Sequence, residues 1–158
     1  MTGTGLAFGR AAVSGTHVEA LDGFVVEDQV GLLLRRAHQR HSMLFQDGIG
    51  AADLTPTQFT ALVKVVELGR VTQNHLGRLA AMDPATIQGV VRRLTARGYM
   101  RRTVDPLDRR TAVLAPTPMG VDAAAQAVAC ARRITDATLQ PLDEEDRRHL
   151  LALLRRIA

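Results

Sequence analysis

The sequence predicts a mainly α-helical protein carrying one small β-hairpin. Three observations lead there. Hydrophobic residues make up 46% of the 158 but aromatics only 3%, with no Trp, so the core must be built from Ala, Leu and Val, a mix that favours helices over a β-sandwich. Apolar residues recur at three- and four-residue steps in successive segments. Thr55-Pro56, Asp83-Pro84 and Thr117-Pro118 each pair an N-cap residue with a proline at the first helical position.

The stripe Val30, Leu33, Leu34, Ala37, His41, Leu44 and Phe45 predicts a first helix from Glu27 to Gln46, ended by Asp47-Gly48-Ile49-Gly50. The helix begun at Thr55-Pro56 is expected to bury Phe59, Leu62, Val63, Val66 and Leu68 and to stop at Gly69. Thr72 opens a short helix with Leu76, Leu79 and Ala80 inward. Met82-Asp83-Pro84 turns the chain into another helix, which buries Ile87, Val90, Val91 and Leu94 and closes at Gly98. Tyr99 to Val104 can pair with Thr111 to Ala115 around the tip Asp105-Pro106-Leu107-Asp108-Arg109-Arg110, whose proline and acids suit a turn. A helix-turn-helix followed directly by a hairpin is a winged helix. Thr117-Pro118 then starts a long Ala-rich helix to about Leu139. The last helix begins at Asp143, with acids in its first turn and Arg155 and Arg156 in its last, matching the helix dipole at both ends.

Bulk properties exclude some classes. The net charge of +4 says little until it is located. The single Cys130 rules out an intrachain disulfide and a thiolate metal cluster and fits a reducing compartment. The apolar runs are far shorter than a membrane span, and residues 1–23 lack the basic start and apolar core of a signal peptide. A cytoplasmic location with no membrane partner is expected, with residues 1–26 as a flexible arm.

The helix after Asp83 carries the functional signal. Its polar side offers Thr86, Gln88 and Gly89 near the start, beside Pro84 and Ala85, and Arg92, Arg93 and Arg97 further along. A recognition helix enters the major groove with its N-terminal residues near base edges. Gln88 can make two hydrogen bonds to adenine and Thr86 can touch a thymine methyl or a phosphate, while Gly89 lets the helix lie close. The arginines, with Thr72 and Asn74 on the preceding helix, complete the candidate DNA-contacting set; phosphate contacts position a protein without reading sequence. A solvated surface helix is the bland alternative. The hairpin argues against it: Arg101 and Arg102 lie at its base, and Arg109 and Arg110 at its tip can reach a minor groove, with Asp108 steadying Arg110 by an ion pair.

These residues resemble the MarR-type winged-helix transcription regulators over roughly residues 27–158. The carriers are Leu54-Thr55-Pro56-Thr57-Gln58-Phe59, the recognition helix Asp83–Gly98, the wing 105–110 and Thr117-Pro118-Met119-Gly120; the wing with its fixed gap to Thr117 and Gly120 is the specific part. The resemblance implies that Arg110 is the minor-groove residue and Asp108 its support. It also implies a homodimer built from the first helix and the last two, binding double-stranded DNA at an inverted-repeat operator, and a repressor that lets go when a small ligand binds. The expected organisation is a first dimerisation helix and loop over 27–53, the winged helix-turn-helix over 54–117, and C-terminal dimerisation helices over 118–158. Two departures stand out. Gly89 sits where relatives often carry an arginine or another polar residue, shifting base contacts toward Thr86 and Gln88. Pro116 replaces a common leucine and stiffens the exit from the wing.

In such proteins the ligand pocket commonly lies between the dimer helices and the winged-helix lobe. Arg36, His38, Arg40 and His41 on the first helix would suit a small aromatic carboxylate, and the stretch resembles the subgroup that controls breakdown of aromatic acids such as hydroxynicotinate. The alternative is that the arginines are solvated or paired across the dimer and that His41 is a satisfied core histidine. His38 and His41, joined by His75 or His149, give a weaker metal-responsive reading; no carboxylate completes a set, so no metal or cofactor is assigned. Cys130 in its Ala-rich setting reads as an inert thiol. No nucleophile–base motif, phosphate-binding glycine loop or paired-carboxylate signature supports an enzyme. A helical adaptor without DNA binding is disfavoured by the wing arginines.

Overall fold

The computed structural model describes residues 23–50, 53–104 and 112–157. The chain divides into two compact units, Met1–Arg36 and Ala37–Ala158. The described part of the first holds a short 3-10 turn, Val26–Asp28, and the start of helix α1, which runs Val30–Gly48 into the second unit.

The second unit continues with α2 (Pro56–Leu68), β1 (Val71–Thr72), α3 (Gln73–Leu79), α4 (Pro84–Ala96), β2 (Met100–Val104), β3 (Ala112–Pro116), α5 (Pro118–Leu139) and α6 (Glu144–Ile157). The three proline-marked starts are as the sequence predicts. Each helix begins at its expected cap, and the Thr55, Asp83 and Thr117 side chains all accept amide hydrogens of the first turn. At α2 the cap is reciprocal: the Gln58 amide donates to Thr55 Oγ1 and the Thr55 amide to Gln58 Oε1 at 3.1 Å, which explains how Gln58 can be buried. At α6 the Asp143 carboxylate accepts the Asp146 amide at 2.8 Å.

Two burial expectations are corrected. Along α2 the fully covered residues are Ala61, Leu62 and Val65, while Phe59, Val63 and Val66 are half-buried and Leu68 is 45% exposed. The helix packs between α5 on one side and α4 and β3 on the other, so its buried stripe centres on the 58, 61, 62, 65 row. On α3, Leu76 and Gly77 are buried but Leu79 is 42% exposed, since a two-turn helix presents only one row to its neighbours. The turn after α3 begins earlier than Met82: Ala81 adopts φ 50°, and the Met82 amide donates to the Gly77 carbonyl.

The hairpin forms in the register Met100↔Pro116 to Val104↔Ala112. A third strand, unread in the sequence, joins it: β1 pairs antiparallel with β3, Val71 opposite Leu114, giving the order β1-β3-β2. The wing therefore shares a sheet with the strand that leads into α3.

The exit from the wing is a compact joint. Gly98, at φ 73°, ends α4 in a backbone conformation that a side chain would resist. The Thr117 hydroxyl donates to the Gly98 carbonyl and accepts the Gly120 amide, while the Thr117 amide donates to the Tyr99 carbonyl at 3.1 Å. Gly120 is buried directly against that Tyr99 carbonyl. This fixes the start of α5 on the end of α4 and requires Thr117 and Gly120 to stand three residues apart in this chain.

Candidate nucleic-acid interface

The surface is built around α4. Asp83 caps it through one carboxylate: Oδ1 accepts the Ala85 and Thr86 amides, both at 2.9 Å, and Oδ2 accepts the Thr86 hydroxyl. The Thr86 hydroxyl first, then the Thr86 and Ala85 amides, hold the Asp83 carboxyl below its ordinary value of 3.8. A carboxylate depressed in the folded state adds stability above its unfolded pKa and loses it as pH falls through the folded value. Wild type and Asp83→Asn, which keeps an acceptor but cannot titrate, should therefore differ in melting temperature at neutral pH and draw together as pH falls below the ordinary 3.8 and through the lowered folded value. Parallel curves across that window would contradict the cap's electrostatic part. The same bond commits the Thr86 hydrogen inward, so toward a ligand its hydroxyl oxygen can only accept.

Four apolar residues, Ile87, Val90, Val91 and Leu94, anchor α4 in the core and set what faces out. Pro84, Ala85, Gln88, Arg92 and Arg93 are exposed; Thr86 and Gly89 are half-exposed. Ala85, Gln88, Gly89 and Arg92 line one groove of about 270 Å³. Gln88 and Arg92 also line a second, of about 480 Å³, with Thr95, Ala96 and Arg102. A third, of about 420 Å³, is lined by Thr72, Gln73, Asn74 and Arg102. Arg102 is common to the last two and donates from Nη2 to Gln73 Oε1 at 2.6 Å, tying the wing strand to α3. Thr72, Asn74, Ala85, Gln88, Gly89 and Arg92 thus share one continuous surface with Arg102 at its centre.

Sequence reasoning places Arg102 at the hairpin base but not in the site. Its bond with Gln73 spans 29 positions, which no local pattern shows. Arg93 folds its guanidinium back toward Gly89, where a Cβ would lie 3.5 Å from Nη2. Arg97 departs from its expected role among the outward arginines: it donates to the Asp53 carbonyl at 2.7 Å and the Tyr99 hydroxyl at 3.1 Å and lies over the Tyr99 ring. It braces the fold behind α4. Arg109, Arg110 and Asp108 lie outside the described residues. Among the described residues no carboxylate pairs with Arg92, Arg93, Arg101 or Arg102; the ion pair present is Lys64–Glu67 on α2. Among the described residues this surface is therefore cationic without internal neutralisation, which suits a polyanion.

The first-helix candidates separate. Arg40 Nη2 donates to the Ala137 carbonyl at 3.3 Å, and the His41 ring lies 3.0 Å from Thr138 Oγ1 and 6.1 Å from the Phe45 ring. Both tie α1 to the C-terminal turns of α5, where a cation also meets the negative end of the helix dipole. His38 lies 3.4 Å from the Ser42 hydroxyl and is exposed, as is Arg36. Among the described residues no group of three or more His, Cys, Asp or Glu is placed to hold a metal ion, and no helix is long and apolar enough to cross a membrane.

Comparison with known proteins bears on the same surface. A model of the MarR family matches residues 54–112, from the start of α2 through the wing. The HTH-type transcriptional repressor NicR of Pseudomonas putida is 37% identical over 132 residues, 84% of each chain. The crystal structure of a probable transcriptional regulator from Pseudomonas aeruginosa superposes with a TM-score of 0.82 at 45% identity, covering 85% of this chain and all of that one. BpsR of Bordetella bronchiseptica, whose DNA binding is regulated by 6-hydroxynicotinic acid, superposes with a TM-score of 0.81 at 36% identity, covering 85% of this chain and 96% of its own.

Proposed function

This chain belongs to the MarR family of transcription regulators, and from that premise we propose that it is a sequence-specific repressor, a homodimer that releases its operator when a small aromatic carboxylate binds. The observation that carries the DNA reading is the exposed surface on which Gln88, Arg92 and Arg102 meet, where no carboxylate among the described residues pairs with either arginine. In this reading the exposed start of α4 lies in the major groove, with Gln88 on adenine and Pro84, Ala85 and Gly89 against the base edges. Thr86 accepts rather than donates. Thr72, Asn74, Arg92 and Arg93 hold phosphates, and Arg109 and Arg110 on the wing, with Asp108 as support, take the adjoining minor groove.

The dimer reading rests on apolar side chains that are exposed among the described residues. On α1, Val30, Leu33 and Leu34 are 65%, 50% and 44% exposed; on α6, which buries no residue, Leu153 and Ile157 are 53% and 68% exposed. Faces of this kind on helices mark association surfaces. The ligand reading rests on the named chemistry of BpsR and on the cations of α1. Arg40 and His41, which Arg36 and His38 precede on the same helix, already bridge to α5. An anion drawing on them would therefore act on the α1–α5 bonds rather than on α4 directly.

The test is thermal melting and operator binding with 6-hydroxynicotinate, other aromatic acids and an aliphatic acid. An effective ligand at a hundred times its Kd stabilises the protein by about 2.7 kcal/mol and should weaken operator binding by about 5- to 150-fold. If no aromatic acid moves either quantity, the ligand reading fails while the DNA reading stands on its own binding data.

A further inference from the structure

The wing strand β2 presents arginines to both sides of its sheet. Successive strand residues point to opposite faces, and Arg102 turns toward α3 and α4, where it meets Gln73. Arg101 therefore turns away. On that second face Arg101 and Arg70 line a shallow groove of about 440 Å³ together with Gly69, Thr103 and Val104, floored by the buried Ala115. Arg70 stands just before β1 and donates from Nη2 to the Val104 carbonyl at 3.3 Å. That bond uses one of the guanidinium's N–H donors and fixes its direction, leaving the others for a ligand. Both arginines are exposed, and no carboxylate among the described residues pairs with either. The acid nearest Arg70 in sequence, Glu67, is held by Lys64 at 2.8 Å.

We propose that the Arg70–Arg101 groove is a second phosphate-binding surface, so that the wing grips DNA from both faces. This rests on the winged-helix DNA reading of α4 and the hairpin. A minor groove is only about 6 Å wide and is walled by one phosphate backbone on each side. In this proposal only the tip of the hairpin enters that groove, and its two faces stand over the two walls. Arg102 faces the wall next to the recognition helix; Arg70 and Arg101 face the other. Two guanidiniums around one small concavity match the forked geometry that phosphate oxygens accept. Phosphate binding carries no base information, so it should add affinity and salt dependence while leaving operator preference as it is.

The test uses the full chain with an operator duplex and a random duplex of equal length, titrated with salt. Arg70→Ala/Arg101→Ala should flatten the slope of log K against log salt by about 0.9 for each phosphate no longer neutralised, equally on both duplexes. The ratio of the two affinities and the melting temperature should stay as in wild type. Arg70→Lys/Arg101→Lys should restore most of the slope. A double-alanine variant with the wild-type slope would overturn the inference and leave the main DNA reading intact. So would a reduced slope that lysine fails to restore, since that would be a structural effect of Arg70. If the wild-type chain bound neither duplex, the underlying reading itself would fall.

Discussion

Gly120→Ala is expected to be severely destabilising although the position is helical. In an open helix, alanine in place of glycine stabilises by up to about 1 kcal/mol. Here the sign reverses. An added Cβ would run into the Tyr99 carbonyl carbon and oxygen, and a backbone group cannot rotate aside as a side chain can. The same carbonyl accepts the Thr117 amide, and Thr117 in turn holds Gly98 and Gly120, so relief of the clash must break the joint. Forced overpacking costs typically about 1–3 kcal/mol and occasionally more; with the neighbour fixed, at least about 3 kcal/mol is expected. For a chain of this size that is a fall in melting temperature of roughly 6–12 °C. Because α5 starts from this joint, the wing and the C-terminal helices should loosen together, visible as faster amide exchange across β2, β3 and the first turns of α5. A melting temperature within a degree of wild type would mean that the joint bears no such constraint.

Gln88→Ala carries the largest expected effect on recognition. Gln88 is exposed, lies one turn into α4 and lines both grooves there, so no other neutral side chain on the helix is as centrally placed. Its amide can present a donor and an acceptor together to adenine, a pairing worth about 1–3 kcal/mol against a wrong base. Two subunits on an inverted repeat double that, so operator affinity should fall by roughly one and a half to just over four orders of magnitude while random-duplex affinity and the salt slope stay unchanged. Arg92→Ala should behave oppositely, lowering both affinities and flattening the slope by about 0.9 for each phosphate it neutralises. If Gln88→Ala weakened operator and random duplex equally, Gln88 would be a positioning residue and base reading would have to move to its neighbours.

What the sequence makes legible is what short-range chemistry controls. Thr55, Asp83 and Thr117 can be recognised as caps because the bonds they make reach only two or three residues onward. The spacing of Ile87, Val90, Val91 and Leu94 identifies the buried side of α4 for the same reason, and with it the outward set that includes Gln88 and Arg92. Departures begin at the margins of stripes: Leu68 and Leu79 continue an apolar rhythm but fall at helix ends, where no neighbour arrives to cover them. Bonds between distant segments leave no local trace. β1 is two residues long, too short for alternation to show. Arg97 reads in the sequence as one more outward arginine, because its carbonyl partner, Asp53, lies 44 positions away. The bonds of Arg40 and His41 to Ala137 and Thr138 span 97 positions, so the helix alone does not decide whether those side chains are free or satisfied.

The proposed mode of DNA reading, on which the rest depends, has two copies of this chain, each laying its α4 into one of two successive major grooves. Selection of bound duplexes from a random pool, followed by stoichiometry and salt titration of the winner, tests it most directly. The expected result is an inverted repeat whose half-site centres lie about 10 base pairs apart or a multiple of that, two chains per duplex, and affinity that drops steeply with salt. Recovery of no repeated sequence, or one chain per duplex with salt-insensitive binding, would contradict it.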